Sequence, residues 1–434
     1  MRQTLFTIPY TVTIPYTAYE LPIFGAGLLI VLWGIVVAVS VYLAVRKQGW
    51  RAELWGMLPS LALVGAAILL LPRLFQDGLP IRGYGVMVLL GVLAGVGLAV
   101  HRARQVGLDP EILLSLVLWL LIPGVVGARM FHVVEYWHTD YHRETWIETF
   151  QRVLNVPQGG LVVYGALFGA CIGFLVFTYR RHLRVLAMAD LIAPSLAIGL
   201  ALGRIGCFLN GCCYGGPTDL PWAVRFPAGS PPYESQLQRG DLLGFNLVAD
   251  ETGRPRIGRI RAGTAAEKRG LTKNEPLHAV NGVPVQSVVD AERWLGASLG
   301  RGDRVILTLA NGHKVELPAV DSSRGSLPVH PTQLYSSITA ALLCFFLWSY
   351  YPFRRHDGEV TALMLTLYPI LRLLLEIIRT DERAVFHTGL SISQNVSLLL
   401  LLGIVGLWVY VLSRPPLSPV QAGEPPSSQP QVMA

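Results

Sequence analysis

Long runs of apolar residues constrain the fold of this chain more than any other feature. About 20 mostly apolar residues form a helix that spans a bilayer. Hydrophobic residues make up 52% of the sequence and charged residues 15%, unlike an ordinary soluble domain. The sequence predicts an α-helical polytopic membrane protein with about nine transmembrane helices, at Phe24–Val45, Leu54–Leu71, Tyr84–Val100, Ile112–Val126, Val162–Tyr179, Leu186–Gly203, Leu334–Tyr351, Val360–Ile378 and Ile392–Leu412.

The charges of the connecting loops predict the orientation. If nine spans alternate, the basic connections all fall on one side: Arg46–Arg51, Arg102–Arg104, Arg180–Arg184 and Arg354–Arg355. The positive-inside rule makes that side cytoplasmic. The long loop 204–333 then faces outward, and the Pro-rich tail 414–434 is expected to be cytoplasmic and disordered. The net charge of +7 follows largely from this topology and implies no nucleic-acid partner. No removable signal peptide is expected at the N-terminus.

Residues 236–322 interrupt the apolar pattern with polar sequence and strand-like spacing. This segment resembles a bacterial PDZ domain, so we expect a small α+β extracytoplasmic insert. Its Leu243-Gly244-Phe245 loop matches the loop with which that family holds a peptide carboxylate. The resemblance implies that a peptide or envelope-protein partner adds a strand beside Asn246–Ala249. A module that only stiffens the outer face is the alternative.

Charged residues gather at the outer ends of the predicted helices. Arg372, Glu376 and Arg379 follow i, i+4, i+7 spacing and share one helix face. Ionisable groups at membrane depth indicate a functional site, and arginine forks pair with phosphate oxygens. The cluster therefore predicts binding of an anionic phospholipid headgroup. The other members at this depth are Tyr84, Arg129, Arg204 and His330.

Six motifs in order carry a family resemblance: IRGYG, GAR, GGLVVYGALFG, GRIGCFLNGCCYG, HPTQLY and YPILRLLLEIIRTDE. Together they resemble prolipoprotein diacylglyceryl transferases. The resemblance covers the expected membrane core, residues 79–235 and 323–413, and leaves residues 1–78 as an extra two-helix segment. It implies a bacterial inner-membrane enzyme that moves the diacylglyceryl group of phosphatidylglycerol to the lipobox cysteine of prolipoproteins, releasing glycerol phosphate. No metal, nucleotide or other cofactor is expected.

The resemblance also implies residue roles. Arg204 and Arg372 are expected to hold the lipid phosphate, and Glu376 to orient Arg372. Tyr84 falls on a position that the family needs for activity, and Tyr164 stands where well-studied members carry a candidate histidine base. A tyrosine with an ordinary pKa of about 10 is a poor base at neutral pH, although nearby arginines favour the phenolate. The remaining expected lipid-binding residues are Arg129, Asn210, Gly215, Arg379 and His330.

Three cysteines lie within the arginine motif at positions 207, 212 and 213. Cys207 and Cys212 replace an asparagine and a glutamate of the family. A Cys207–Cys212 disulfide and a thiol proton relay are both open, but small side chains at a tight turn are the favoured interpretation. The spacing contains no C-x-x-C pair, so no zinc site is expected.

Two function classes are the rivals of the transferase. An intramembrane metalloprotease requires H-E-x-x-H on a helix, which the chain lacks. A non-catalytic lipid-binding paralogue, serving as a membrane-anchored PDZ-like scaffold, is the alternative that the substitutions at Tyr164 and Cys207 favour. The motifs that would hold phosphate favour catalysis.

Overall fold

The computed structural model describes most of the chain. The described residues are 4–13, 20–22, 24, 27–45, 64–66, 68–70, 72, 78–142, 145–154, 160–318, 325–379 and 389–416. The chain divides into two compact units, residues 1–86 and residues 87–434.

The described residues of the first unit include four short strands and one long apolar helix. Strands β1 (Thr4–Ile8) and β4 (Leu79–Arg82) pair antiparallel, as do β2 (Thr11–Thr13) and β3 (Glu20–Pro22). Helix α1, Leu28–Val45, corresponds to the first predicted span. Most of the second predicted span, Leu54–Leu71, lies outside the described residues.

The second unit is built around long apolar helices. Helix α3 begins where the Asp109 carboxylate accepts a hydrogen bond from the backbone N–H of Glu111, next to Pro110 in the first turn. A capping box of Ser391 and Gln394 begins α12, and both are standard helix starts. The helices are α2 (Gly83–Gln105), α3 (Pro110–Glu135), α4 (Trp146–Leu154), α5 (Val163–Arg180), α6 (Val185–Asn210), α7 (Pro231–Gln238), α8 (Ala265–Lys268), α9 (Val288–Gly300), α10 (Thr332–Tyr350), α11 (Glu359–Glu376) and α12 (Ile392–Leu412).

Six helices of the described chain are long and apolar enough to cross a membrane: α2, α3, α5, α6, α10 with its extension to Phe353, and α12. This confirms a helical protein with several membrane spans. Helix α11 has 18 residues but carries Glu359, Arg372 and Glu376, and α1 is a shorter apolar helix in its described part. The count of nine therefore stays a prediction. Helix α3 does continue past Val126 and includes Arg129.

Glycines allow α3 and α5 to pack closely. A Cβ atom at Gly169 would collide with the carbonyl oxygen of Pro123, and one at Gly173 with that of Trp119. Small residues at four-residue spacing are a common way for membrane helices to approach each other. A separate apolar core joins α2, α3, α5, α6, α10 and α11, with Phe177, Leu116, Leu347 and Val360 almost fully buried.

The segment between α6 and α10 forms a small α+β body with its own core. Strands β5 (Phe245–Ala249) and β6 (Pro255–Ile260) pair antiparallel. A second sheet has the order β10 (Lys314–Leu317), β9 (Val305–Leu309), β7 (Leu277–Val280), β8 (Val283–Pro284). Helix α9 buries Ala291, Leu295 and Leu299 in a core that also contains Tyr233 and Leu237 of α7. This agrees with an α+β insert, while its PDZ identity and the boundary at residue 236 stay predictions.

Candidate active site

A cleft between α6, α10 and α11 brings together the two arginines singled out in the sequence. It is lined by Arg204 of α6, Arg372 of α11, and apolar and hydroxyl side chains. The apolar lining comes from Leu200, Ala340, Leu343, Leu371 and Leu375, and the polar lining from Ser336, Thr339 and Tyr368. The cleft thus combines two cationic groups with walls that suit hydrocarbon.

A buried carboxylate holds two arginines at one end of this cleft. An oxygen of Glu376 lies 3.0 Å from Nη2 of Arg372 and 3.4 Å from Nη1 of Arg379. The same Nη2 donates a hydrogen bond of 2.8 Å to Oγ of Ser393 on α12. Because the three charged groups are buried, removing one would leave an uncompensated charge.

Arg204 approaches the same region from the end of α6. Its guanidinium lies near the hydroxyl of Tyr368 and near the sulfurs of Cys207 and Cys213. Helix α6 ends at Gly211, whose φ of 80° places it in the left-handed region, where glycine is the usual residue. The chain then turns directly into the cysteine-containing loop. The sequence motif therefore places an arginine and a tight turn side by side.

The loop after α6 is fastened to the start of α10. The N–H of Gly215 donates to the carbonyl of His330 at 3.0 Å, and that of His330 donates to Gly216 at 3.0 Å. The side chains of Thr332 and Gln333 donate to the carbonyls of Cys213 and Cys212 at 2.8 and 2.7 Å. These bonds join two of the six motifs, GRIGCFLNGCCYG and HPTQLY, into one wall of the site.

Gly215 is required by close approach. A Cβ atom at this position would lie 2.6 Å from Cβ of His330 and 2.8 Å from Cγ2 of Thr332. The residue also forms a bridge with Arg379. A larger residue would push the loop away from α10 and Arg379, and the lipid-binding role of Gly215 stays a prediction.

Comparison with known proteins agrees with this arrangement. The family model for prolipoprotein diacylglyceryl transferase matches residues 72–410. The chain belongs to the prolipoprotein diacylglyceryl transferase family. A relative from Rhodopirellula baltica named phosphatidylglycerol–prolipoprotein diacylglyceryl transferase is 34% identical, and the match covers 92% of this chain and 87% of the relative. A Clostridium tetani protein of the same name is 27% identical, over 79% of this chain and 98% of the relative.

Not every residue predicted for the site of this transferase lies at the cleft, and Arg129 is one that does not. The guanidinium of Arg129 donates to the carbonyls of Arg152, Val153 and Gly160 at 2.6, 2.8 and 3.1 Å. It does not line the cleft. The geometry gives Arg129 a role in fastening the segment before α5, and its lipid contact stays a prediction.

The predicted tyrosines and His330 are placed as follows. Tyr164 is half-buried in the first turn of α5 and does not line the cleft. Tyr84 belongs to the first unit, at the start of α2, with 45% of its surface exposed. Nδ1 of His330 lies 3.5 Å from the hydroxyl of Tyr335, which accepts a hydrogen bond of 2.7 Å from Trp222. Asn210 ends α6, within hydrogen-bond reach of the Cys212 sulfur. The catalytic roles of Tyr84 and Tyr164 and the lipid-binding roles of His330 and Asn210 stay predictions.

Two contacts of the site arginines were not predicted from the sequence: that of Arg204 with Tyr368 and that of Arg372 with Ser393. Tyr368 lies four residues before Arg372 and contacts Arg204, so the spacing that joined Arg372 and Glu376 could have found it. Ser393 is on a different helix, and no sequence signal connects it with Arg372.

The predicted peptide-binding loop is well formed. Gly244 has a φ of 81° between Leu243 and Phe245, which are 6% and 2% exposed. The N–H of Gly244 donates to the carbonyl of Gly240 at 2.9 Å, so one of the groups expected to hold a carboxylate is already engaged.

Proposed function

We propose that this protein is a phosphatidylglycerol–prolipoprotein diacylglyceryl transferase. The observation that carries the proposal is the cleft lined by both Arg204 and Arg372. Two guanidinium groups suit a phosphodiester, and the leucine-lined walls suit the glyceryl end of the acyl chains. Glu376 would keep Arg372 and Arg379 oriented through the ion pairs described above.

The chemistry balances with few protein groups. The sulfur of the acceptor cysteine forms a bond with the terminal glyceryl carbon of phosphatidylglycerol. The carbon–oxygen bond to phosphate breaks, and its electron pair leaves with glycerol phosphate. The thiol proton passes to solution or to that product. Charge accumulates on the leaving phosphate, so arginines fixed beforehand lower the barrier.

The test is transfer by purified protein in phosphatidylglycerol micelles to a peptide with a lipobox cysteine. The expected result is a gain in peptide mass equal to one diacylglyceryl group. The loss of one fixed donor to a developing oxyanion lowers kcat by about 100- to 1000-fold, which is the loss expected for Arg204→Ala. Retained lipid binding with no transfer by wild-type protein would support the non-catalytic paralogue instead.

We further infer a topology of nine spans in the bacterial inner membrane, with the insert periplasmic and the C-terminus cytoplasmic. The basic loops support this orientation. A membrane-impermeant thiol reagent should label intact cells carrying Thr252→Cys, in the exposed β5–β6 turn, in a background in which all five native cysteines are replaced by alanine. It should not label Arg414→Cys until the cells are opened. The reverse pattern would invert the topology.

We also propose that the insert binds a peptide as a PDZ-like domain. Within the described residues, β5 pairs only with β6, so its other edge can accept a strand. Phe245 and Leu247 anchor β5 in the core. Fluorescent peptides with apolar C-termini should bind the full-length protein and lose affinity when the C-terminal carboxylate is amidated. Equal binding of free-acid and amidated peptides would contradict carboxylate recognition.

A further inference from the structure

Three cysteines converge at the end of α6, although their sequence spacing lacks the usual zinc pattern. The sulfur atoms of Cys207, Cys212 and Cys213 all lie within 4.8 Å of one another. Four zinc-bound sulfurs at about 2.3 Å from the metal lie about 3.8 Å apart, by tetrahedral geometry. The three thiols therefore need to close by about 1 Å at most to share one ion.

The backbone that carries these thiols is fixed. Gly211 ends the helix in the left-handed region, and Cys213 has a φ of 58°, which is uncommon for a residue other than glycine. This turn brings Cys212, five positions after Cys207, back beside it. Thr332 and Gln333 hold the carbonyls of Cys213 and Cys212 from α10, as outer-shell partners hold metal ligands in place.

The positive charges near the three cysteines suit a zinc ion bound by several thiolates, which carries a net negative charge. Arg204 interacts electrostatically with Cys207 and Cys213, and Arg379 with Cys213. Zinc with three thiolates carries one net negative charge, and a fourth thiolate makes it two. Arg204 and Arg379 offset part of that charge, since Arg379 also pairs with Glu376. The same arginines belong to the lipid cleft and its buried ion pairs, so the thiol cluster adjoins the proposed phosphate site.

We propose that Cys207, Cys212 and Cys213 bind a zinc ion whose fourth position takes the thiol of the acceptor peptide. This inference rests on the proposed transferase function. Three protein ligands with one open position are typical of catalytic zinc, and a thiol that coordinates zinc is deprotonated. Zinc binding releases the three cysteine protons, and the acceptor thiol releases one more. After the carbon–sulfur bond forms, the neutral thioether is a weak ligand and leaves.

This zinc site would deprotonate the acceptor thiol in place of Tyr164, since a tyrosine side chain is a poor base at neutral pH. A thiol must become a thiolate to attack carbon. Zinc activates it without a histidine or carboxylate base, and without oxidation or reduction. The ion's position beside Arg204 would put the nucleophile next to the phosphate that leaves.

The experiment is a cobalt titration of the full-length protein, purified with reductant and freed of metal, with zinc then used to displace cobalt. We expect one cobalt per chain, with the absorption of a thiolate-bound tetrahedral ion. A lipobox peptide should change the thiolate-to-cobalt band, and the same peptide with serine in place of cysteine should not. Cys171→Ala, which removes an exposed cysteine of α5, should behave as wild type. Cys212→Ala should lose the band while retaining the wild-type elution volume and thermal transition.

The outcomes separate this inference from the function on which it rests. Failure of wild-type protein to bind cobalt would overturn the zinc site, as would a spectrum that ignores the peptide thiol. Full transferase activity of metal-free Cys212→Ala would overturn the inference and leave the proposed function standing. A peptide-dependent cobalt spectrum without any lipid transfer would support the site and count against the transferase. A native disulfide among the three cysteines, seen by mass spectrometry without reductant, would also overturn the inference.

Discussion

An oxygen of the Glu376 carboxylate lies 3.0 Å from Nη2 of Arg372, one helical turn earlier on α11, with both side chains buried. A pair in this position does more than stabilise a helix, because Arg372 lines the cleft and Glu376 also contacts Arg379. The carboxylate is therefore a positioning group for two cations.

Replacing Glu376 with glutamine should impair transfer, and it should also lower the unfolding temperature because it removes one charge from a buried group of ion pairs. Glutamine keeps the shape but removes the charge that orients Arg372 and Arg379. We expect kcat/KM to fall by about 10- to 100-fold, on the order of 1.4–2.7 kcal/mol of transition-state stabilisation. Steady-state transfer to a lipobox peptide measures this.

Glu359→Gln is a matched control at the other end of α11. Glu359 is also buried and accepts hydrogen bonds from Tyr350 and the backbone N–H of Arg355, but it does not line the cleft. Its replacement should lower the unfolding temperature and leave kcat/KM near the wild-type value. Similar kinetics for the two variants would show that Glu376 has no special role.

The contact between α3 and α5 predicts a stability effect. A methyl group at Gly173 would collide with the carbonyl oxygen of Trp119, and overpacking of this kind destabilises a protein by about 1–3 kcal/mol. Gly173→Ala should therefore lower the thermal unfolding midpoint in detergent. Gly97→Ala in α2 is the control, because a Cβ there meets no atom within 4 Å. Equal midpoints for both variants would contradict the close packing.

Acid should destabilise the β5–β6 turn only at an unusually low pH. The Thr252 hydroxyl, then the N–H groups of Arg254 and Thr252, donate to Asp250 and lower the pKa of its carboxyl to about 2. An aspartate has a pKa of about 3.9 in an unfolded chain. Because the folded pKa is the lower one, the turn's stabilising contribution is complete above about pH 4 and is lost as the pH falls toward 2.

Carboxyl carbon shifts of labelled aspartate, assigned with Asp250→Asn, would follow this titration. We expect a midpoint near 2, and Thr252→Val should move it upward because it removes the largest cause. A wild-type midpoint near the unfolded value would mean that the turn's hydrogen bonds do not form in solution.

The sequence predicted those parts of the site that follow from periodicity or motif. Arg372, Glu376 and Arg379 share a face because they lie on one helix, and the structure joins them by ion pairs. The family motifs predicted that Arg204 and Arg372 converge on one cleft. Helix periodicity could not predict it, because the periodicity of one helix does not show how that helix packs against another. Arg129 shows the limit: a charge at membrane depth predicted a lipid contact, and nothing in the sequence predicted that its guanidinium also donates to three backbone carbonyls.

The convergence of the three cysteines was not predicted, for a related reason. Zinc patterns in sequence assume a short loop between paired ligands, whereas here a helix end and a left-handed residue bring Cys213 beside Cys207. Backbone conformation at Gly211 and Cys213 decides this, and spacing alone does not reveal it. The contact between Ser393 and Arg372 likewise depends on how α11 packs against α12.

The most direct measurement of the central claim is a double-mutant cycle on the rate of lipid transfer, with Arg204→Lys, Arg372→Lys and the double variant. Lysine keeps the charge but loses the bidentate fork, so slow transfer should remain measurable. If both arginines hold one phosphate, each single change should slow transfer, and the double variant should depart from additivity by about 0.5 kcal/mol or more. Wild-type rates for either single variant, or strictly additive losses, would contradict a shared phosphate site.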